Sequence, residues 1–221
     1  MRDVATRHST RYEFPNLPLS SVDAGTNLLL TGPTLEGARE LLLRLLLGED
    51  GVVIITADTS ARKVLGAFEH VGGRVDRQRV RVVSCSQERD ADLGDCVSSV
   101  GSPGDLTGIG IEYSGQYEQV YARGYDTVRT GIYTLTPLLV YSDDVRPVFR
   151  FVNTVTSRIR TADGLGICAI DPSAHDEQVV NSIAQPFDAR VGVRETDGEL
   201  ELRVTGLPDQ PGEWTTVPAI E

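Results

Sequence analysis

Residues 27–47 read NLLLTGPTLEGARELLLRLLL, and a change of hydrophobic period inside this stretch decides the fold. Residues 27–31 (NLLLT) are a short, continuous apolar run of strand length. Gly32 and Pro33 interrupt it, and from 37 to about 47 the leucines recur at helical spacing. The glycines at 48 and 51 then close the helix, as glycine commonly does beyond a helix C-terminus. A buried strand, a glycine turn and a helix follow one another within some twenty residues.

The same alternation continues outward. Residues 52–56 (VVIIT) read as a second strand, and Asp58, Thr59 and Ser60 offer N-caps for a helix reaching Glu69. Gly72 and Gly73 end that helix, and 80–84 (VRVVS) give a third strand. Residues 94–107 are rich in Gly, Ser, Asp and Pro and read as a long loop before a helix over 109–123. A fourth strand spans 127–135, where Pro137 prevents continuation. A helix over 145–160 aligns Val148, Phe151, Val152, Val155 and Ile159 on one face. Residues 165–170 (LGICAI) make a fifth strand, and a helix covers 173–184. Segments 191–195 and 200–204 flank Asp197-Gly198, a hairpin turn signal. Apolar strands alternating with helices predict an α/β fold, with a mostly parallel sheet flanked by helices on both faces and a C-terminal antiparallel β-hairpin. One domain over 26–207 is expected, after an irregular polar lead-in (1–25, with Pro15 and Pro18) and before a tail (208–221).

The charge pattern narrows the setting. The chain carries a net charge of −11, and Lys63 is its only lysine. Dispersed acids with almost no lysine suit a surface that stays hydrated in concentrated salt, where screening makes dense charge cheap. A halophilic, cytoplasmic protein is expected, with no signal peptide and no apolar run of membrane-spanning length. The acidic field disfavours nucleic-acid binding, although Arg74, Arg77, Arg79 and Arg81 form a local basic group. Cys85, Cys96 and Cys168 show no metal-ligand spacing with His8, His70 or His175, so reduced core thiols and no metal site are expected.

In open α/β sheets, ligands bind beyond the carboxyl ends of the strands. After the first strand, Gly32 and Gly37 have the spacing of the phosphate-binding pattern GxxxxGK[ST]. That pattern needs Lys to reach the phosphates and a hydroxyl to hold Mg²⁺. Here Ala38 stands in the Lys position and Arg39 in the Ser/Thr position. The degenerate loop therefore comprises Gly32, Thr34, Gly37, Ala38 and Arg39, with Arg39 expected at the solvated surface. Tyr113, Tyr117, Tyr121 and Tyr125 recur every four residues, as core packing or as an aromatic contact face.

Beyond this loop, the chain resembles the RecA/KaiC-like ATPases, and more closely a haloarchaeal branch of small KaiC-like proteins. The likeness rests on 27–46, SSVGSPGDLTGIGI (98–111), TLTPLLVYSDDVRPVFRFVNTVTSRI (134–159) and ICAIDPSAHDEQVVNSIAQPFDARVGVRE (167–195). It implies a RecA-like core with nucleotide normally held between subunits of a ring. It also implies a metal-orienting aspartate after the fourth strand, where this chain has Tyr133, and an acidic pair after the second, where it has Asp58 and Thr59. Asp58, the one surviving acid, is expected as a helix N-cap, and Asp171 as the start of another helix. The expectation is a pseudo-ATPase with no catalytic residue, acting through a protein partner or a homo-oligomer. A divergent nucleotide-binding protein or weak ATPase, with ATP as ligand, is the alternative.

Overall fold

The computed structural model describes residues 10–32, 35–86 and 91–220. Two short strands, β1 (Arg11–Tyr12) and β2 (Val22–Asp23), pair with each other before the main sheet begins. The alternating units follow: β3 (Asn27–Thr31), α1 (Leu35–Leu45), β4 (Gly51–Thr56), α2 (Ala61–His70), β5 (Val80–Ser84) and β6 (Val97–Ser99). Next come α3 (Leu106–Ala122), β7 (Val128–Ile132), α4 (Thr136–Val140), α5 (Val145–Thr161), β8 (Leu165–Ile170) and α6 (Glu177–Ala184). The chain ends with β9 (Ala189–Thr196), β10 (Glu199–Thr205) and β11 (Thr215–Thr216).

Among the described residues the main sheet has nine strands in the order β11-β10-β9-β3-β8-β7-β4-β5-β6. Every pairing from β9 to β6 is parallel, and β10 and β11 add antiparallel. Period-two alternation sends Leu28 and Leu30 into one apolar cluster, shared with α1 and α2, and Leu29 into the other, shared with α3 and α5. Both faces are therefore covered, as apolar strands require. Burying each such leucine contributes about 1.5–3 kcal/mol.

Several segments depart from their predicted form. Helix α1 begins at Leu35 rather than 37, so only 32–34 separate it from β3. The stretch read as one loop contains the edge strand β6, too short and polar to carry a hydrophobic pattern. Pro137 sits in the first turn of α4, where its missing N–H costs nothing. The helix predicted over 173–184 divides into a single 3₁₀ turn, Pro172–Ala174, and α6. The lead-in is no bare covering: Tyr12, Phe14, Leu17 and Val22 are buried in the α1 side of the core. The segment after 207 supplies β11 and the buried Val217.

Two strand arginines, Arg129 and Arg81, are buried. Arg129 bonds Asp50 at 2.6 Å, donates to the Leu45 carbonyl at 2.8 Å, and lies over the rings of Tyr12 and Phe14. It ties β7 to the lead-in. Arg81, fully buried, donates to the Asp95 carbonyl and to Gln116 on α3. Arg79 is buried too and bonds the Gly48 carbonyl, so the basic group 74–81 is not one exposed patch.

Candidate functional site

The chain leaves β3 toward β4 on one side and leaves β8 toward β9 on the other, so the strand order reverses at these two neighbours. A crevice is expected beyond their carboxyl ends. Gly32, Arg39, Asp58, Tyr133 and Asp171 all lie in the segments that follow β3, β4, β7 and β8.

Gly32 lies immediately beyond β3, where a Cβ would stand 2.5 Å from the Val193 carbonyl oxygen. Close approach of β9 alone is enough to require glycine here. Thr34 lies outside the described residues. Gly37 is already inside α1 and half-buried, so its peptide belongs to the helix rather than to an open loop. Ala38 is 1% exposed and faces the α1 side of the core.

Arg39 is the element the pattern did not foresee. Its side chain is only 18% exposed, not solvated as predicted, because it folds onto Asp58 and the Tyr133 ring. Its Nη2 donates to Asp58 Oδ2, and its guanidinium lies 4.9 Å from the centre of the Tyr133 ring. The pairing joins the helix after β3 to the turn after β4 and the residue after β7. An arginine prefers this geometry, a carboxylate at its edge and an aromatic face below it. Its Nε is buried with no hydrogen-bond partner among the described residues.

Asp58 is not a helix N-cap, as its position suggested; Ser60 occupies that place in α2. Both carboxylate oxygens are engaged, Oδ2 by Arg39 and Oδ1 by the Thr59 hydroxyl at 3.0 Å. The turn is fixed by Thr56, whose hydroxyl donates to the Thr59 carbonyl. Tyr133 is 7% exposed, its N–H bonded to the Ile55 carbonyl. Burial raises its phenol pKa; the Arg39 charge lowers it and Asp58 raises it further. The ring is therefore neutral at physiological pH and offers a metal no charge.

Asp171 turns away from this cluster in function. Its Oδ1 accepts from the backbone N–H and the hydroxyl of Ser173, capping the 3₁₀ turn. His175, just beyond, has its pKa lowered by burial against the opposing pull of Asp171. Among the described residues, no three His, Cys, Asp or Glu side chains are grouped closely enough to hold a metal ion. The tyrosine stripe divides: Tyr113 and Tyr117 are buried, Tyr125 packs at the core margin, and Tyr121 is 58% exposed. No helix among the described residues is long and apolar enough to cross a membrane.

Sheet order and crossover helices define a protein of the RecA/KaiC-like α/β fold. The crystal structure of the KaiC-like protein PH0186 from the hyperthermophilic archaeon Pyrococcus horikoshii OT3 matches it with a TM-score of 0.65. That match covers 94% of this chain and 93% of that one at 12% identity, which is a likeness of fold. The chain belongs to the family of unknown function DUF7504, whose model matches residues 25–193. No curated protein matches it.

Proposed function

We propose that this chain is a non-hydrolysing KaiC-like domain, a regulatory or scaffolding protein of a salt-rich cytoplasm that works through contacts with other proteins. One observation supports this most: the crevice that would receive a triphosphate is spanned by the chain's own Arg39–Asp58 pair over Tyr133. Phosphoryl transfer depends on positioning and on neutralising developing charge. Three groups that would supply these are replaced by Ala38, Arg39 and Tyr133. Arg39 already serves Asp58, so a phosphate taking this guanidinium would have to displace a carboxylate and then sit beside it.

The buried Ala38 adds a second argument. A lysine at this position would place an ammonium in an apolar core unless α1 began later, and burying an unpaired charge is costly. The alternative reading, a divergent nucleotide-binding protein or weak ATPase, requires Arg39 to leave Asp58 and take phosphate instead.

The test is phosphate release from MgATP by purified protein in molar KCl, beside an Asp58→Ala variant. The expected result is the same background rate for both. Turnover by the wild type that Asp58→Ala abolishes would replace this reading with a working ATPase.

A further inference from the structure

On the opposite face of the sheet from α1, helices α3 and α5 run side by side over the second core. Each crosses between parallel strands, so the two helices point the same way. Two hollows of about 740 and 680 Å³ open between them. Glu118 and Arg158 border both hollows and bridge the groove with a 3.8 Å ion pair. One hollow is floored by Tyr113, Phe151 and Val155, and Ile111, 65% exposed, stands at its lip. At the other, Tyr121 is 58% exposed.

The walls differ in charge. Helix α5 carries Arg146, Arg150, Arg158 and Arg160 and no acid, in a chain of net charge −11. Helix α3 carries Glu112 and Glu118 and no base. Its wall is also thin: at Gly110 and Gly115 an added Cβ would meet nothing within 4 Å. No described residue crowds these positions, and glycine weakens a helix interior relative to alanine.

We propose that this face is the contact between two copies of the chain, related by a two-fold axis running along the groove. Rotation about that axis sets α3 of each copy over α5 of the other at the same height. Glu118 of one copy then faces Arg158 of the other, and four charges alternate around the axis. A two-fold interface must be self-complementary, and adjacent acidic and basic helices meet that condition. An acidic helix from another protein would satisfy Arg150 and Arg158 but oppose Glu118; a second copy satisfies both walls. The open side of Gly110 and Gly115 lets the facing helix approach closely. Two helices of 17 residues present roughly 500 Å² of flat area before side-chain relief, approaching the ~800 Å² per partner of ordinary stable interfaces. This contact does not depend on whether the crevice takes nucleotide.

Light scattering on the full chain in molar KCl tests it. Wild type should show twice the 24.0 kDa chain mass. Glu118→Arg and Arg158→Glu alone should each weaken association roughly 100-fold, because like charges then face each other across the axis. An equimolar mixture of the two variants should recover the dimer, since every facing pair is again opposite. A merely structural role for the ion pair cannot produce that recovery, because each chain in the mixture still carries its own mismatched pair. Ile111→Asp, at an exposed position, should yield a folded monomer with an unchanged circular dichroism spectrum. A monomeric wild type, an assembly indifferent to these substitutions, or a mixture that stays monomeric would each overturn the proposal.

Discussion

Arg39 and Arg129 are both paired arginines, yet their surroundings assign them different energetic weight. Arg39 sits at the crevice edge with a partner 35% exposed, whereas Arg129 is 4% exposed and holds a carboxylate and two carbonyls. Removing one side of a buried pair leaves its partner uncompensated. Arg129→Ala is therefore expected to cost about 3–5 kcal/mol, against about 1 kcal/mol for Arg39→Ala, in urea unfolding at neutral pH. Equal losses would contradict this ranking. The buried thiols make a second prediction. Burial, with the Asp105 charge adding to it, pushes Cys85 up from 9.0 to about 11, and burial also raises Cys168. The folded state therefore holds protons that the unfolded chain releases earlier. This stabilising contribution is fully present below about pH 9 and is lost as pH rises through about 11. Urea midpoints measured from about pH 8 to about pH 11 should fall, and a flat profile would contradict the assignment.

At the scale of elements, the close approach of β9 by itself calls for a glycine immediately beyond β3. Gly32→Ala forces a Cβ against the Val193 carbonyl, and either β9 or β3 must shift. The expected cost is about 1–3 kcal/mol by chemical denaturation. A neutral Gly32→Ala would show that packing against β9 is not what holds the glycine. The strands β3, β5 and β8 were legible in the sequence to the residue because each is a short segment rich in aliphatic residues: β3 and β8 as apolar runs, and β5 through Val80, Val82 and Val83 on either side of Arg81. The hairpin was legible because Asp197 and Gly198 suit its turn, and both adopt positive φ. Strands β1, β2, β6 and β11 were not legible, since two or three half-polar residues carry no period. The crevice was legible residue by residue but not as an arrangement. Nothing local predicts that Arg39 meets a carboxylate 19 positions away, or that α1 begins early enough to bury Ala38. The burial of Arg81 and Arg129 was not legible for a related reason: it depends on tertiary partners, Asp95 and Gln116 for one and Asp50 and Leu45 for the other.

At the scale of the whole molecule, a net charge of −11 spread over a 221-residue surface repels itself in dilute buffer. Screening within about 3 Å in molar salt removes most of that repulsion. The melting temperature should therefore rise steadily from millimolar to molar KCl, and a decrease over that range would contradict the salt-adapted reading. The same field surrounds the Arg39–Asp58 pair. The decisive measurement is the thermal unfolding of the chain in molar KCl with saturating MgATP, MgADP or MgGTP. A ligand present at a hundred times its dissociation constant adds about 2.7 kcal/mol of stability. With Arg39 committed to Asp58 and the buried Tyr133 ring beneath it, the melting curve should not move. A saturable, magnesium-dependent upward shift that Arg39→Ala abolishes would contradict the account at its centre.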